Sequence, residues 1–404
     1  MNILIINHYA GSPNHGMEYR PYHFAKEWIK SGHNITIIAS SFSHVRFQQP
    51  KCEHSITVEN IDDIQYVWLK TPEYHGNNFR RIMNMFSFTV QSCIRTLPIE
   101  KPDIVIDSST YPLTIYGADK IARKYGARLI FEVHDLWPLS PMELGGYSKY
   151  HPFIIVMQRA ENYAYKNAHR VISLLPKAKE HMISHGMSPE KFVYIPNGVD
   201  ISSWQLSDNL PKEHKDLLKG LKRNDKFIVG YAGAHGIANA LEHLANAARL
   251  LKNNHNIHFV LVGQGPLKND LQSFVAKEKL DNISFLPAVS KMIVPDILNY
   301  FDVCYIALDQ KPLFRFGVSP NKMFDYMMAA KPIINAIDAG NDLVKEIGCG
   351  VSVPPVDSQA IVNAVLYLYK LSQEDRYLMG QKGQNYVKTH LDYEVLSKKF
   401  LEGL

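Results

Sequence analysis

Twice along the chain an apolar run gives way to a glycine-bearing polar loop and then to an amphipathic helical pattern. Asn2–Asn7 leads into the loop Tyr9–Glu18, which carries Gly11 and Gly16, then a helical pattern over Tyr22–Ser31, then the apolar run Asn34–Ala39 after Gly32. In the second half Phe227–Tyr231 leads into Gly233-Ala234-His235-Gly236, a helical pattern over Ala240–Lys252, and the run Ile257–Val262. Short, wholly apolar runs separated by 3.6-periodic segments predict parallel strands covered by helices on both faces, because parallel neighbours need long crossover connections. Two doubly wound α/β domains are therefore expected, and 404 residues suffice for two independent cores. Further strands are expected at Ile64–Leu69, Ile104–Ile106, Leu129–Val133, Val171–Leu175, Phe192–Ile195, Ile283–Leu286, Val303–Ala307 and Ile333-Ile334, with a final helical stretch from Asp375 broken near His390. Composition turns polar and lysine-rich over Ser207–Asp225, so the boundary is put between residues 205 and 206: an N-terminal domain 1–205 and a second domain 206–387.

The stretch Phe314–Asp338 carries the most specific chemistry. Ser319 is a good N-cap and Pro320 suits a first helical position, so the free amides of Asn321 and Lys322 are expected to attract an anion at a helix start. Asp325 lies on the same helix face as Lys322 at i+3, placed to accept hydrogen bonds from a diol beside a bound phosphate. A phosphate next to a diol describes a nucleotide ribose. The plainer alternative is a capped helix with a surface lysine and aspartate.

In the first half, the strand ending Phe131-Glu132-Val133 runs directly into His134-Asp135-Leu136-Trp137-Pro138. Polar groups at the C-terminal end of a parallel strand face the ligand crevice of such folds, so His134 and Asp135 are candidate catalytic residues. Asn77–Thr96 places Phe79, Ile82, Met83, Phe86, Val90, Cys93 and Ile94 at helical spacing beside Arg80, Arg81 and Arg95. That pattern fits either a crossover helix packed on the sheet or a peripheral contact with an anionic membrane surface.

Composition excludes several classes. Lys plus Arg exceed Asp plus Glu by 44 − 39 = 5, too little for a nucleic-acid partner but compatible with phosphorylated ligands. Cys52, Cys93, Cys304 and Cys349 show neither zinc spacing nor a disulfide framework, so a reducing cytoplasmic setting is expected. Met1 precedes the apolar run Ile3–Ile6 without a basic leader, and no apolar run approaches the ~20 residues of a membrane span.

The order of the motifs resembles a known family. Ile195-Pro196-Asn197-Gly198-Val199-Asp200, Val262-Gly263-Gln264-Gly265-Pro266-Leu267, Ser319–Met327 followed by Lys331-Pro332, and Gly348-Cys349-Gly350-Val351 resemble in sequence the segments of retaining glycosyltransferase family four. Asp135–Pro138 and the Ser-Pro-Asn-Lys helix start are closest to the bacterial N-acetyl-L-fucosamine transferases of O-antigen and capsule assembly. The resemblance implies the GT-B fold, two Rossmann-like domains facing across a cleft, with a C-terminal helix of about residues 388–404 packing back on the first. It implies transfer from a nucleotide sugar, expected to be UDP-linked, to a glycan or lipid-linked acceptor, with the enzyme cytoplasmic and peripheral at the inner face of the membrane. Donor contacts are then expected from Gly16, Gly233, His235, Gly263, Gly265, Pro266, Ser319, Asn321, Lys322 and Asp325. Departures exist: Gly317 stands eight residues before Asp325 where the family has its first Glu, and Gly16-Met17-Glu18 replaces a Gly-Gly. No Asp-x-Asp pair suits a divalent cation, so no metal or other cofactor is expected. Two rivals share the architecture, a nucleotide-sugar epimerase and a non-catalytic nucleotide-sugar-binding scaffold.

Overall fold

A computed structural model of the chain describes residues 1–76, 78–207 and 209–404. Asn77 and Asp208, which the expectations above counted within the basic helix and the polar stretch, lie outside the described residues. The chain divides into two compact units, one of Met1–Asn197 with Tyr393–Leu404 and one of Gly198–Asp392.

The first unit is built on an eight-stranded sheet. Its strands are β1 (Asn2–Ile6), β2 (Asn34–Ser40), β3 (Ile56–Ile61), β4 (Ile64–Leu69), β5 (Ile104–Ser109), β6 (Arg128–Val133), β7 (Arg170–Ser173) and β8 (Phe192–Tyr194). The order is β3-β4-β2-β1-β5-β6-β7-β8, parallel throughout except for the β3–β4 hairpin. That hairpin turns on Asp62 and Asp63 at φ 50° and 65°, as a two-residue turn matched to strand twist requires, and β3 went unread in the sequence because its polar edge residues dilute the apolar pattern. The chain leaves β1 toward β2 and returns to its other side as β5, so the ligand crevice of this sheet lies at the C-terminal ends of β1 and β5. The helix Arg20–Lys30 covers one face with Tyr22, Phe24 and Trp28, packed on Ile35, Ile37, Tyr66 and Trp68.

The C-terminal helix Tyr393–Glu402 joins this same core. Phe400 stacks its edge 5.2 Å from Phe24 and 5.1 Å from Trp28, and the Trp28 indole donates to the Ser397 carbonyl at 3.2 Å. Burying Phe400 alone contributes about 1.5–3 kcal/mol. Within the second unit the residues next to its two ends pair, since Val199 N–H donates to Leu391 O at 2.8 Å. Division therefore falls at 197/198, eight residues ahead of 205/206, and the lysine-rich helix Lys212–Arg223 lies wholly inside the second unit, where Leu218 and Leu221 are buried.

The second unit is a six-stranded parallel sheet, β9 (Phe227–Ala232), β10 (Ile257–Val262), β11 (Ile283–Leu286), β12 (Val303–Ala307), β13 (Ile333–Ala336) and β14 (Gly350–Ser352), in the order β11-β10-β9-β12-β13-β14. Its switch point is between β9 and β12. Packing is tight there: a Cβ on Gly230 of β9 would stand 2.0 Å from the Phe301 ring. Strongly apolar clusters cover both faces.

The helix Phe79–Ile94 divides its apolar residues unexpectedly. Met85 and Phe88 point inward with Asn84, Thr89 and Ser92, while Phe79, Met83, Phe86, Val90 and Ile94 form an exposed stripe at steps of four, three, four and four residues. Among the described residues no helix is long and apolar enough to cross a membrane.

Candidate active site

In the second unit three segments meet at the C-terminal ends of β9, β10 and β12. The loops Gly233–Gly236 and Gly263–Pro266 interlock through backbone. His235 N–H donates to Gln264 O at 2.8 Å and Leu267 N–H to His235 O at 3.0 Å. A Cβ on Gly263 would stand 1.9 Å from Gly233 O, and one on Gly265 2.4 Å from His235 O, so both positions need glycine for this approach as well as for φ of 154° and 158°. Lys268 braces the pair from below, donating to Gly263 O at 3.0 Å and Leu286 O at 3.3 Å. The amides of Gly233, His235 and Gly263 are all spent on backbone carbonyls. Between the loops lies the His235 ring. That ring is fully buried, neither of its nitrogens has a protein partner, and burial together with Lys268 and Lys322 lowers its pKa to about 4. It is neutral near pH 7, with one donor and one acceptor.

The third segment is the helix Asn321–Met328. Pro320, not Ser319, occupies the cap position and brings no side-chain cap, because the extended Pro320 (ψ 121°) delays the first turn by a residue. The first amides of the helix still have no carbonyl ahead of them to bond. The preceding loop is clamped from across the unit: Val318 N–H donates to Asn341 Oδ1 at 2.8 Å, and Gly340 packs so closely that a Cβ would stand 2.1 Å from Arg315 O. Lys322 reaches back over Gly233 to Tyr231, donating to its hydroxyl at 2.9 Å and to Asn239 Oδ1 at 2.6 Å, with Nζ 4.7 Å from the Tyr231 ring centre. Among the described residues no carboxylate pairs with it, and burial lowers its pKa to about 8. A cation surrounded by neutral donors and acceptors is poised for an anion. Asp325, one turn on, is buried and forms a short ion pair with Lys291. The turn Lys291–Ile293 thus brings a second cation that the motif reading had not weighed.

In the first unit, residues at the ends of β5 and β6 form a buried charged network. Glu132 Oε1 takes the Arg20 guanidinium, 3.0 Å from Nε and 2.9 Å from Nη2, and Glu132 Oε2 accepts from Ser108 Oγ at 2.6 Å. His134 Nε2 lies 3.1 Å from the same oxygen and 3.0 Å from Ser108 Oγ. Burial alone would raise Glu132, but Arg20 and the His134 and Ser108 bonds outweigh it and hold the carboxyl at about 2. Arg20 also donates to the carbonyls of Pro196 at 2.6 Å and Ile195 at 3.0 Å, joining the Pro196-Asn197 motif to the network. Losing either member of this buried pair leaves an unpaired charge, which costs about 3–5 kcal/mol. The carboxylate partner of His134 is therefore Glu132, two residues upstream; Asp135 is exposed, and among the described residues no hydrogen bond joins it to His134.

Gly16 is held within its own loop. Its N–H donates to Ser12 O at 2.8 Å, its φ is 104°, and Phe47 closes over it, so its amide is spent inside the loop. Arg46 pins that loop through the carbonyls of Ala10 at 2.9 Å and Ser40 at 2.8 Å.

Residues 15–203 match Glycosyltransferase Family 4, and residues 226–371 match Glycosyl transferases group 1, one domain family on each unit. The chain has the GT-B fold, with a glycosyltransferase domain family matched in each half. It is 23% identical over 393 residues to a glycosyl transferase named for colanic acid biosynthesis, WcaI of Escherichia coli (strain K12), with 94% of this chain and 93% of that one covered. It is 21% identical over 256 residues to Alpha-D-kanosaminyltransferase of Streptomyces kanamyceticus, covering 61% of this chain and 62% of that one. The fold matches Anabaena HepE in complex with UDP-glucose at a TM-score of 0.68 and 15% identity, over 100% of this chain and 98% of that chain.

Sequence reasoning placed the helix Asn321–Met328 and the glycine loops at the ends of these strands. It missed Tyr231, Asn239, Lys291, Glu132 and Arg20, which belong to no motif and enter only through tertiary contact. Glu132 alone left a signal, as a charge at the apolar end of a strand.

Proposed function

We propose that this chain is a retaining, metal-independent transferase moving a sugar from a UDP-linked donor to a saccharide or lipid-linked saccharide of a bacterial surface polysaccharide. The observation that carries the reading is Lys322, a half-buried cation without a carboxylate, beside the first amides of the helix and the acid Asp325. UDP-glucose in HepE, and the name of WcaI, support the donor and the polysaccharide setting. In the reaction the bond from the anomeric carbon to the β-phosphate oxygen breaks, and UDP departs with the electron pair. The helix start and Lys322 stabilise that charge. The acceptor hydroxyl forms the new bond on the same face, its proton passing to the departing phosphate. Asp325 exchanges Lys291 for the ribose hydroxyls, and His134, held by Glu132, acts on the sugar or the acceptor hydroxyl.

Acceptor-dependent release of UDP tests the assignment over a panel of donors. Release without acceptor, with an epimerised donor recovered, identifies an epimerase; UDP binding with no turnover on any donor identifies a scaffold. Because Lys322 and backbone amides neutralise the leaving group, EDTA is expected to leave the initial rate at 25 °C unchanged. A rate restored only by magnesium or manganese would contradict this.

We further propose that the acceptor is met at the inner face of the cytoplasmic membrane through the helix Phe79–Ile94. Its exposed stripe of Phe79, Met83, Phe86, Val90 and Ile94 would enter the headgroup boundary while Arg80 and Arg81 meet anionic lipid, each basic residue contributing about 1 kcal/mol. The protein is expected to sediment with anionic vesicles at low salt and to lose that association in Arg80→Glu/Arg81→Glu with its circular dichroism unchanged. Equal sedimentation of the double variant would remove this helix as the anchor.

A further inference from the structure

Away from the residues assigned above, the first unit holds one cluster of metal-ligand chemistry among the described residues. Glu161, on the helix Pro152–Asn167, and His181 and His185, at the helix Lys179–Ser184 and its C-cap, bring one ligand atom each within 4.8 Å of one another. We propose that these three side chains form a zinc site that ties the two crossover helices flanking β7 together.

Ligand type is the first argument. Two imidazoles and one carboxylate, with the fourth position left to water, make a donor set suited to zinc, whereas magnesium and calcium take oxygen ligands throughout. Burial is the second. Glu161 is only 2% exposed, and among the described residues no lysine or arginine pairs with it; the nearest cationic-type atom is His181 Nε2 at 4.0 Å. A carboxyl so far from water is ionised only beside a cation or a metal, and otherwise holds a proton.

The surrounding hydrogen bonds are the third. His185 Nδ1 lies 2.8 Å from the His181 carbonyl, which can only accept, so the ring proton sits on Nδ1 and the lone pair on Nε2 is left for a metal. Ser184 Oγ, 3.1 Å from that same Nδ1, has its own proton engaged by His181 O at 2.7 Å and so accepts as well. Glu161 Oε1 accepts from Tyr165 Oη at 2.9 Å and Oε2 from Gln158 Nε2 at 2.7 Å, which orients the carboxylate and leaves lone pairs on each oxygen. Ligands whose remaining polar atoms are bonded in this manner are characteristic of metal centres. Zinc bonds of 2.0–2.1 Å put tetrahedral donors about 3.3 Å apart, so the 4.0 Å separation of His181 and Glu161 closes by less than an ångström, and any other pair, within 4.8 Å, by at most about 1.5 Å. No cysteine takes part. The sequence signal is His-x3-His at one helical turn, His181 and His185, with the third ligand on another helix.

The test uses the untagged full chain, stripped by chelator and titrated with zinc, with cobalt as a spectroscopic substitute and magnesium as contrast. One equivalent of zinc, intense visible cobalt bands of tetrahedral type, and a zinc-dependent rise in melting temperature are expected, with no response to magnesium. His185→Ala, at the half-exposed end of its helix, is expected to fold without metal and to weaken zinc binding at least about 100-fold; Glu161→Gln, which keeps the carboxyl's shape, provides the second variant. Zinc bound with unchanged stoichiometry and affinity by both variants, or cobalt remaining octahedral as in water, overturns the site. Neither readout depends on sugar transfer, so its failure leaves the donor-site reading untouched.

Discussion

Lys322→Ala is expected to lower kcat/KM for the nucleotide sugar by about 10²–10³, the usual cost of removing one preorganised donor aimed at charge that develops in the transition state. The helix start remains in the variant, so the loss stops short of abolishing activity. Asp325→Ala removes a charged hydrogen-bonding group from the ribose and should cost about 1.5–3 kcal/mol, one to two orders of magnitude in donor affinity. The pH dependence separates the two. Burial lowers Lys322 to about 8 in the free protein, and only its protonated form attracts a diphosphate, so UDP affinity is expected to be full below that value and to fall as the pH rises through it. Lys322→Arg keeps its charge throughout this range, so its UDP affinity should stay level from pH 7 to 9 even if its value at pH 7 is lower. Calorimetric titration with UDP checks each variant, and unchanged affinity in both alanine variants would move the donor site elsewhere.

How much of this could be read from the chain depends on the range of the interaction concerned. The parallel strands and their glycine turns were legible because both signals are local: a short, mostly apolar, β-branched run ending on glycines, such as Ile257–Val262, reads as a buried strand, and Gly263 and Gly265 sit where no side chain fits. The helix Asn321–Met328 was equally plain, though its start came one residue late. Position in the fold was harder. The edge strand β3 alternates with polar residues and reads as loop, and the apolar residues of Phe79–Ile94 could not be divided by sequence into the five that stay exposed and the Met85 and Phe88 that pack inward. Hardest were partners across long separations. Lys291 pairs with Asp325 over 34 residues, and Arg20 meets Glu132 over 112. The motif reading joined His134 to the neighbouring Asp135, but successive residues diverge where a strand ends, whereas Glu132 and His134, two apart, return to the same side.

That same-side pairing yields the second large effect. His134→Ala is expected to reduce kcat by about 10²–10⁴ while UDP affinity stays within a factor of two, since His134 belongs to the first unit and UDP is assigned to the second. On the proposed reading Glu132 acts on turnover through His134, as a positioning residue. Glu132→Gln keeps the shape but removes the charge that offsets Arg20, so two losses should appear together: a fall in kcat smaller than that of His134→Ala, and a loss of stability of about 3–5 kcal/mol from the stranded guanidinium. Acid unfolding distinguishes the charge from the shape. The folded Glu132 titrates at about 2 against an ordinary 4.5, so its contribution is complete above 4.5 and is lost as the pH falls from there toward 2. Wild-type protein should therefore destabilise more steeply than Glu132→Gln across that interval, the two curves converging at its acid end. If His134→Ala turns over at the wild-type rate while Glu132→Gln is destabilised as stated, the network is a strut for the Pro196-Asn197 turn, and the chemistry belongs to other residues.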